Sequence, residues 1–121
     1  MNTNETDNPA SHPLDRFSVE GKSAVITGAS GALGTGIAET LGAMGAKITL
    51  ASGGAEPLAD LARRITEAGG IAQTVNRRPD SIEDAEAIVE RAVDAFGSVD
   101  LLVIASGFNQ AGFIHEQDLA D

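Results

Sequence analysis

The chain is 121 residues long, with 42% hydrophobic residues, fourteen glycines and a formal charge of −10 from eight Lys+Arg against eighteen Asp+Glu. That length suits one compact domain and leaves little room for a second. The acidic field repels phosphate backbones and anionic membrane surfaces, and no apolar run is long enough to cross a bilayer, so nucleic acid and membrane are excluded as partners. There is no cysteine, hence no disulfide framework and no thiolate metal site, and no signal-peptide pattern at the start. A cytoplasmic location is expected.

Residues 1–20 carry Asn, Thr, Asp and Pro without an apolar period and read as a flexible arm that becomes ordered near Phe17. Residues 21–121 read as the folded domain. Ser23–Thr27 is an apolar strand that runs into the turn Thr27-Gly28-Ala29-Ser30-Gly31-Ala32-Leu33-Gly34, and a helix follows over about 33–44. Lys47–Ala51 is the second strand. The second helix, about 57–68, sets Leu58, Leu61, Ala62 and Ile65 on one face, with Pro57 in its first turn and Gly69 and Gly70 after its end. Ile71–Val75 is the third strand. The third helix opens at Ser81, with Asp84 in capping-box position. It runs Ile82, Ala85, Val89, Ala92 and Phe96 along one face, and Gly97 stops it. Residues 99–105 form the fourth strand. Strands alternating with helices of this length predict an α/β fold: a Rossmann-like, doubly wound parallel sheet of about four strands in the order 3-2-1-4, with three to four helices.

The glycine turn then lies at the end of a strand and the start of a helix, where unpaired N–H groups and the helix dipole favour an anion. Gly28 is expected to make the tight turn, Gly31 to admit a pyrophosphate, Gly34 to pack helix against strand, and Ser30 to add a hydroxyl donor. Leu33 completes this group. An ATPase-type phosphate loop is excluded: Gly31 and Gly36 have its spacing, but Ile37 stands where it needs Lys.

With these residues in view the chain resembles the short-chain dehydrogenases/reductases, whose first turn reads TGxxxGxG in most members and TGxxGxxG in the extended branch. TGASGALG departs from the first pattern at Ala32 and matches the second through Gly28, Gly31 and Gly34. Phe17-Ser18-Val19-Glu20-Gly21-Lys22, Phe96-Gly97-Ser98-Val99-Asp100 and Leu102-Val103-Ile104-Ala105-Ser106-Gly107 look like the commoner, shorter branch. The resemblance covers about 17–121. It implies a nicotinamide dinucleotide as cofactor and hydride transfer between the nicotinamide and an alcohol or carbonyl, with a sugar or sugar acid as one substrate class. Ser106 and Gly107 fall where relatives carry the end of an Asn-Asn-Ala-Gly motif beside the cofactor, and Ile104 and Ala105 replace its two asparagines. Arg78 falls where relatives place an Asp against the adenine. The residues themselves leave open whether Arg77 and Arg78 are instead solvated loop charges.

At the end of the second strand a carboxylate would bond the ribose hydroxyls of NAD and repel the extra phosphate of NADP; here the residue is Ser52, followed by Gly53 and Gly54. The cofactor is therefore NADP or NAD, with NADP favoured, although Gly53 stands where NADP-preferring relatives often carry Arg. Relatives act through a Tyr, a Lys and a Ser. The chain contains no tyrosine, and its lysines, Lys22 and Lys47, both come early. No catalytic residue and no metal ligand is assigned: His12, His115 and Asn109 have no partner at useful spacing. Asp118 to Asp121 read as the first turn of a helix cut short, so the chain is expected to be the cofactor-binding part of a longer enzyme and inactive alone. The alternative is a non-catalytic dinucleotide-binding module. A bare apolar fourth strand predicts self-association through the sheet edge, or completion by a partner.

Overall fold

The computed structural model describes residues 16–105, and within them seven elements alternate. They are β1 (Ser23–Thr27), α1 (Ala32–Ala43), β2 (Lys47–Ala51), α2 (Ala55–Glu67), β3 (Ile71–Val75), α3 (Ile82–Phe96) and β4 (Leu101–Ile104). The strands form one sheet in the order β3-β2-β1-β4, and every neighbouring pair is parallel. Both the order and the direction agree with the expectation from the sequence.

The sheet is covered on both sides, as parallel sheets must be. Side chains alternate along each strand, so Ala24, Ile26, Ile48 and Leu50 face α1 and α2 and pack with Ala38, Leu58, Leu61 and Ile65. Val25, Ala51 and Val75 face the other way, onto Ile88 and Ala92 of α3. Each fully buried Leu or Ile contributes roughly 1.5–3 kcal/mol by leaving water. Thr49 also points toward α3 and is buried; its Oγ1 accepts from Gln73 Nε2 at 3.0 Å, and the same amide donates to the Arg91 carbonyl at 2.9 Å. One side chain thus ties β3, β2 and α3 together.

Three expectations are corrected. The buried face of α3 is Ile88 and Ala92, with Phe96 half-buried, whereas Ile82, Ala85 and Val89 are exposed. A helix rich in Ala, Val and Ile offers two neighbouring apolar stripes about 100° apart, and only contact with the sheet selects one. α2 begins at Ala55, before Pro57, because proline is tolerated anywhere in the first turn. β4 begins at Leu101 rather than 99, because Asp100 docks instead on the first residue of β1: its N–H donates to the Ser23 carbonyl at 2.8 Å and its Oδ2 accepts from the Ser23 N–H at 2.9 Å. Ser98 Oγ donates to the same Oδ2 at 3.1 Å, and these donors hold the Asp100 carboxyl below its ordinary value.

β4 is an edge strand among the described residues. Its Leu101 and Val103 pack on the α1/α2 side, while Leu102 and Ile104 are 59% and 70% exposed on the other. Pairing also fixes where the loops lie. Thr27 is level with Ala51 and Ile104, and Ala51 with Val75, so the carboxyl ends of all four strands stand in a row.

Candidate cofactor site

The loops that leave this row of strand ends enclose an open cleft of about 670 Å³. Its floor comes from Gly28, Ser30 and Gly31 after β1, and one wall from Ser52, Gly53 and Gly54 after β2. The other wall is Arg78, Pro79 and Asp80 after β3, and Ala105 closes the β4 side. The position obeys the rule for open parallel sheets, in which ligands bind outside the carboxyl ends where the strand order reverses.

The β1–α1 turn is shaped by two glycines for different reasons. Gly28 has φ of 66°, a conformation that side chains rarely adopt. Gly34 needs space: a Cβ there would lie 2.9 Å from the Ala29 Cα and closer still to the Gly28 carbonyl oxygen. At Gly34 helix α1 therefore rests directly on the turn that follows the strand, while Ala38, one helical turn further on, packs on the strands themselves. Gly31 is looser, since its Cβ would meet only the Gly28 oxygen at 3.4 Å. The turn is pinned to β2 by Ala29 N–H donating to the Ala51 carbonyl at 3.2 Å, and to α1 by Thr35 Oγ1 donating to the Ala29 carbonyl at 3.0 Å.

The amino end of α1 is left open. Its N-cap, Gly31, offers no side-chain acceptor, and its first turn carries no acidic residue. α3 shows the contrast: Ser81 Oγ accepts from the Asp84 N–H at 3.1 Å, and Glu83 and Asp84 stand in the first turn. The first-turn amides of a helix have no intrahelical partner; α2 is likewise without a side-chain cap at Gly54, which lines the same cleft, but it carries Glu56 in its first turn, so of the two uncapped ends that of α1 is the one with no acidic residue to oppose an external anion.

Across the cleft Ser30 Oγ and Ser52 Oγ are 2.5 Å apart, and Ser52 Oγ also accepts from the Gly54 N–H at 3.2 Å. With its amide nitrogen toward the strand end, Asn76 donates to the Ser52 and Gly53 carbonyls at 3.0 and 3.2 Å. The β2–α2 turn is thus tied to the β1–α1 turn through the Ser52 hydroxyl and to the end of β3 through Asn76, and Ser52, Gly53 and Gly54 bring no carboxylate to the cleft.

Of the residues singled out from sequence, Gly28, Ser30, Gly31, Ser52 and Arg78 come together around the cleft. Gly34 lies beneath the turn. Leu33 does not line the cleft; it is 68% exposed and borders a separate shallow depression on α1 with Gly36 and Ile37. Ser106 and Gly107 lie outside the described residues, as do His12, Asn109 and His115. Sequence reasoning missed Asn76, Pro79 and Asp80; only Asn76 carried a usable signal, as an amide directly after a strand. Among the described residues no group of three or more His, Asp or Glu is placed to hold a metal ion, and no helix is long and apolar enough to cross a membrane.

A parallel 3-2-1-4 sheet with a glycine turn under an open helix end defines a Rossmann-like fold. A family model of short chain dehydrogenases matches residues 22–121, and the chain belongs to that family. It is similar to an uncharacterized oxidoreductase of Mycobacterium tuberculosis, with 43% identity over 108 residues covering 89% of this chain and 39% of the relative. It is 34% identical over 105 residues to the 2-dehydro-3-deoxy-D-gluconate 5-dehydrogenase of Escherichia coli, covering 87% of this chain and 39% of that one. Among solved structures, a metagenomic short-chain oxidoreductase in complex with NADP matches with a TM-score of 0.75 and 33% identity, over 85% of this chain and 47% of the other. An oxidoreductase from Haemophilus influenza with bound NAD matches with a TM-score of 0.72 and 28% identity, over 77% of this chain and 33% of the other. The chain thus spans 39% of the length of these curated relatives.

Proposed function

We propose that this chain is the cofactor-binding part of an oxidoreductase that moves hydride between a nicotinamide dinucleotide and an alcohol or carbonyl. The observation that supports it best is the uncapped amino end of α1, opening beside Gly28 and Gly31 onto a cleft at the strand ends. The pyrophosphate would lie against the amides of residues 28–34, with Ser30 donating a hydroxyl, and the adenosine ribose against Ser52, Gly53 and Gly54. When bound, the nicotinamide supplies or accepts the hydride; what these residues do is hold and orient the nucleotide. Ser106 and Gly107 are assigned to its nicotinamide side by resemblance alone.

NADP is the preferred cofactor in this reading, because Ser52 removes the carboxylate that would repel a 2′-phosphate. The substrate class is a sugar or sugar acid, a reading supported by the E. coli relative. The absence of tyrosine from all 121 residues leaves the proton transfer of the family to groups not among them, and it favours a second reading, a dinucleotide-binding module without catalysis. The exposed Leu102 and Ile104 of β4 offer an apolar surface for association, with a second copy or with the remainder of an enzyme.

The test is titration of the chain with NADPH followed by nicotinamide fluorescence, which no Trp or Tyr obscures. Saturable binding is expected, and Gly28→Val should abolish it while the helical circular dichroism persists. Absence of binding by the parent chain, or a variant curve that overlays it, would overturn the reading.

A further inference from the structure

Two adjacent arginines follow β3 and do different things. Arg77 turns toward α3, where its Nη1 donates to Asp84 Oδ1 at 3.0 Å. Arg78 turns the opposite way and lies across Gly53. A Cβ built on that glycine would sit 3.1 Å from both Cγ and Cδ of Arg78 and 3.7 Å from its Nε. The glycine is thus a saddle for the arginine's stem. Among the described residues Arg78 has no carboxylate partner, and it is the one cation lining the cleft.

Ser52 cannot supply charge, and its hydroxyl is already engaged by Ser30 and by the Gly54 N–H. A basic residue at Gly53 itself is absent. Instead the stem and Nε of Arg78, arriving from the β3–α3 loop, lie against Gly53 and bring a positive charge to that side of the cleft.

We propose that Arg78 is the residue that selects a 2′-phosphorylated adenosine, so that the chain binds NADP(H) in preference to NAD(H). The inference rests on the dinucleotide reading of the cleft and adds to it the group that discriminates. A guanidinium offers planar, paired N–H donors that match a phosphate, and such charge-assisted bonds are about twice as strong as neutral ones. Asp80 lines the same wall and opposes a phosphate. With Arg78 present the two charges offset one another; with Arg78 removed, Asp80 alone faces the phosphate. Loss of the arginine therefore weakens the 2′-phosphorylated cofactor and leaves the other untouched.

The experiment compares NADPH and NADH titrations of the whole chain with those of Arg78→Gln and Gly53→Ala. Arg78→Gln should weaken NADPH about tenfold or more and leave NADH within about twofold. Gly53→Ala keeps the charge but displaces its seat, at little cost to the fold because the opposing atoms belong to a flexible side chain; it should weaken NADPH in the same direction. An equal loss for both cofactors in Arg78→Gln would mark a structural role and overturn the proposal, as would an unchanged NADPH curve. If the parent chain binds neither cofactor, the dinucleotide reading falls and this proposal with it. If Gly28→Val abolishes both while Arg78→Gln changes neither, the assignment of Arg78 alone falls.

Discussion

Two glycines of α1, Gly34 and Gly36, should respond in opposite directions to the same substitution. At Gly34 an added Cβ would meet the Gly28 carbonyl oxygen first and would lie 2.9 Å from Ala29 Cα and 3.0 Å from the Gly28 carbonyl carbon, all rigid backbone, so helix and turn must separate by about an ångström to restore ordinary contact. Overpacking of this kind costs about 1–3 kcal/mol, against about 0.5–1 kcal/mol recovered by replacing a helical glycine with alanine. Gly34→Ala is therefore expected to destabilise by up to about 2.5 kcal/mol, toward the upper end because every opposing atom is backbone. At Gly36 nothing lies within 4 Å of the added Cβ, so Gly36→Ala should stabilise by about 0.5–1 kcal/mol. Urea denaturation followed by far-ultraviolet circular dichroism measures both, and in thermal melts each kcal/mol corresponds to about 4–8 °C. Equal stabilities for the two variants would refute the claim that α1 rests directly on the Gly28–Ala29 backbone.

Ser52→Asp should invert cofactor preference. The new carboxylate can still accept from Ser30 and Gly54, so the turn survives, but it faces a 2′-phosphate with like charge; NADPH should weaken about tenfold or more relative to NADH, and an unchanged ratio would count against ribose binding there. Asp100→Asn should lower stability in a pH-dependent way. The Ser23 N–H and Ser98 hydroxyl hold the carboxyl below its ordinary value, so its contribution is present at neutral pH and lost as pH falls through the ordinary carboxylate range and below it. The gap between parent and variant should close in acid; a gap independent of pH would contradict the assignment.

The architecture was legible because its signals are local. Each strand is a short apolar run bounded by Gly, Pro or charge, and β1, β2 and β3 match the expected ranges at both ends. Gly97, at φ of 85°, ends α3 as its position promised, and Ser81 caps the other end. What escaped the sequence depends on contacts between distant segments. The stripe of α3 that meets the sheet is decided by Val25, Ala51 and Val75, not by the helix itself. The Ser30–Ser52 contact joins two turns, the start of β4 is set by Asp100 gripping Ser23, and the path of Arg78 over Gly53 joins two loops on neighbouring strands. Spacing along the chain contains none of these. The glycine turn was readable in part: Gly28 acts through its own φ, a local property, whereas the closeness of Gly34 to the turn appears only once helix and turn are packed.

The most direct test of the account is amide chemical-shift mapping of the isotopically labelled chain as NADPH is added. The largest shifts should fall on the amides of residues 28–34, with a second group at Ser52, Gly53 and Gly54. Shifts centred instead on the exposed face of α3 around Val89 and Val93, or no shifts at all, would contradict the proposal that the open end of α1 receives the cofactor's phosphates.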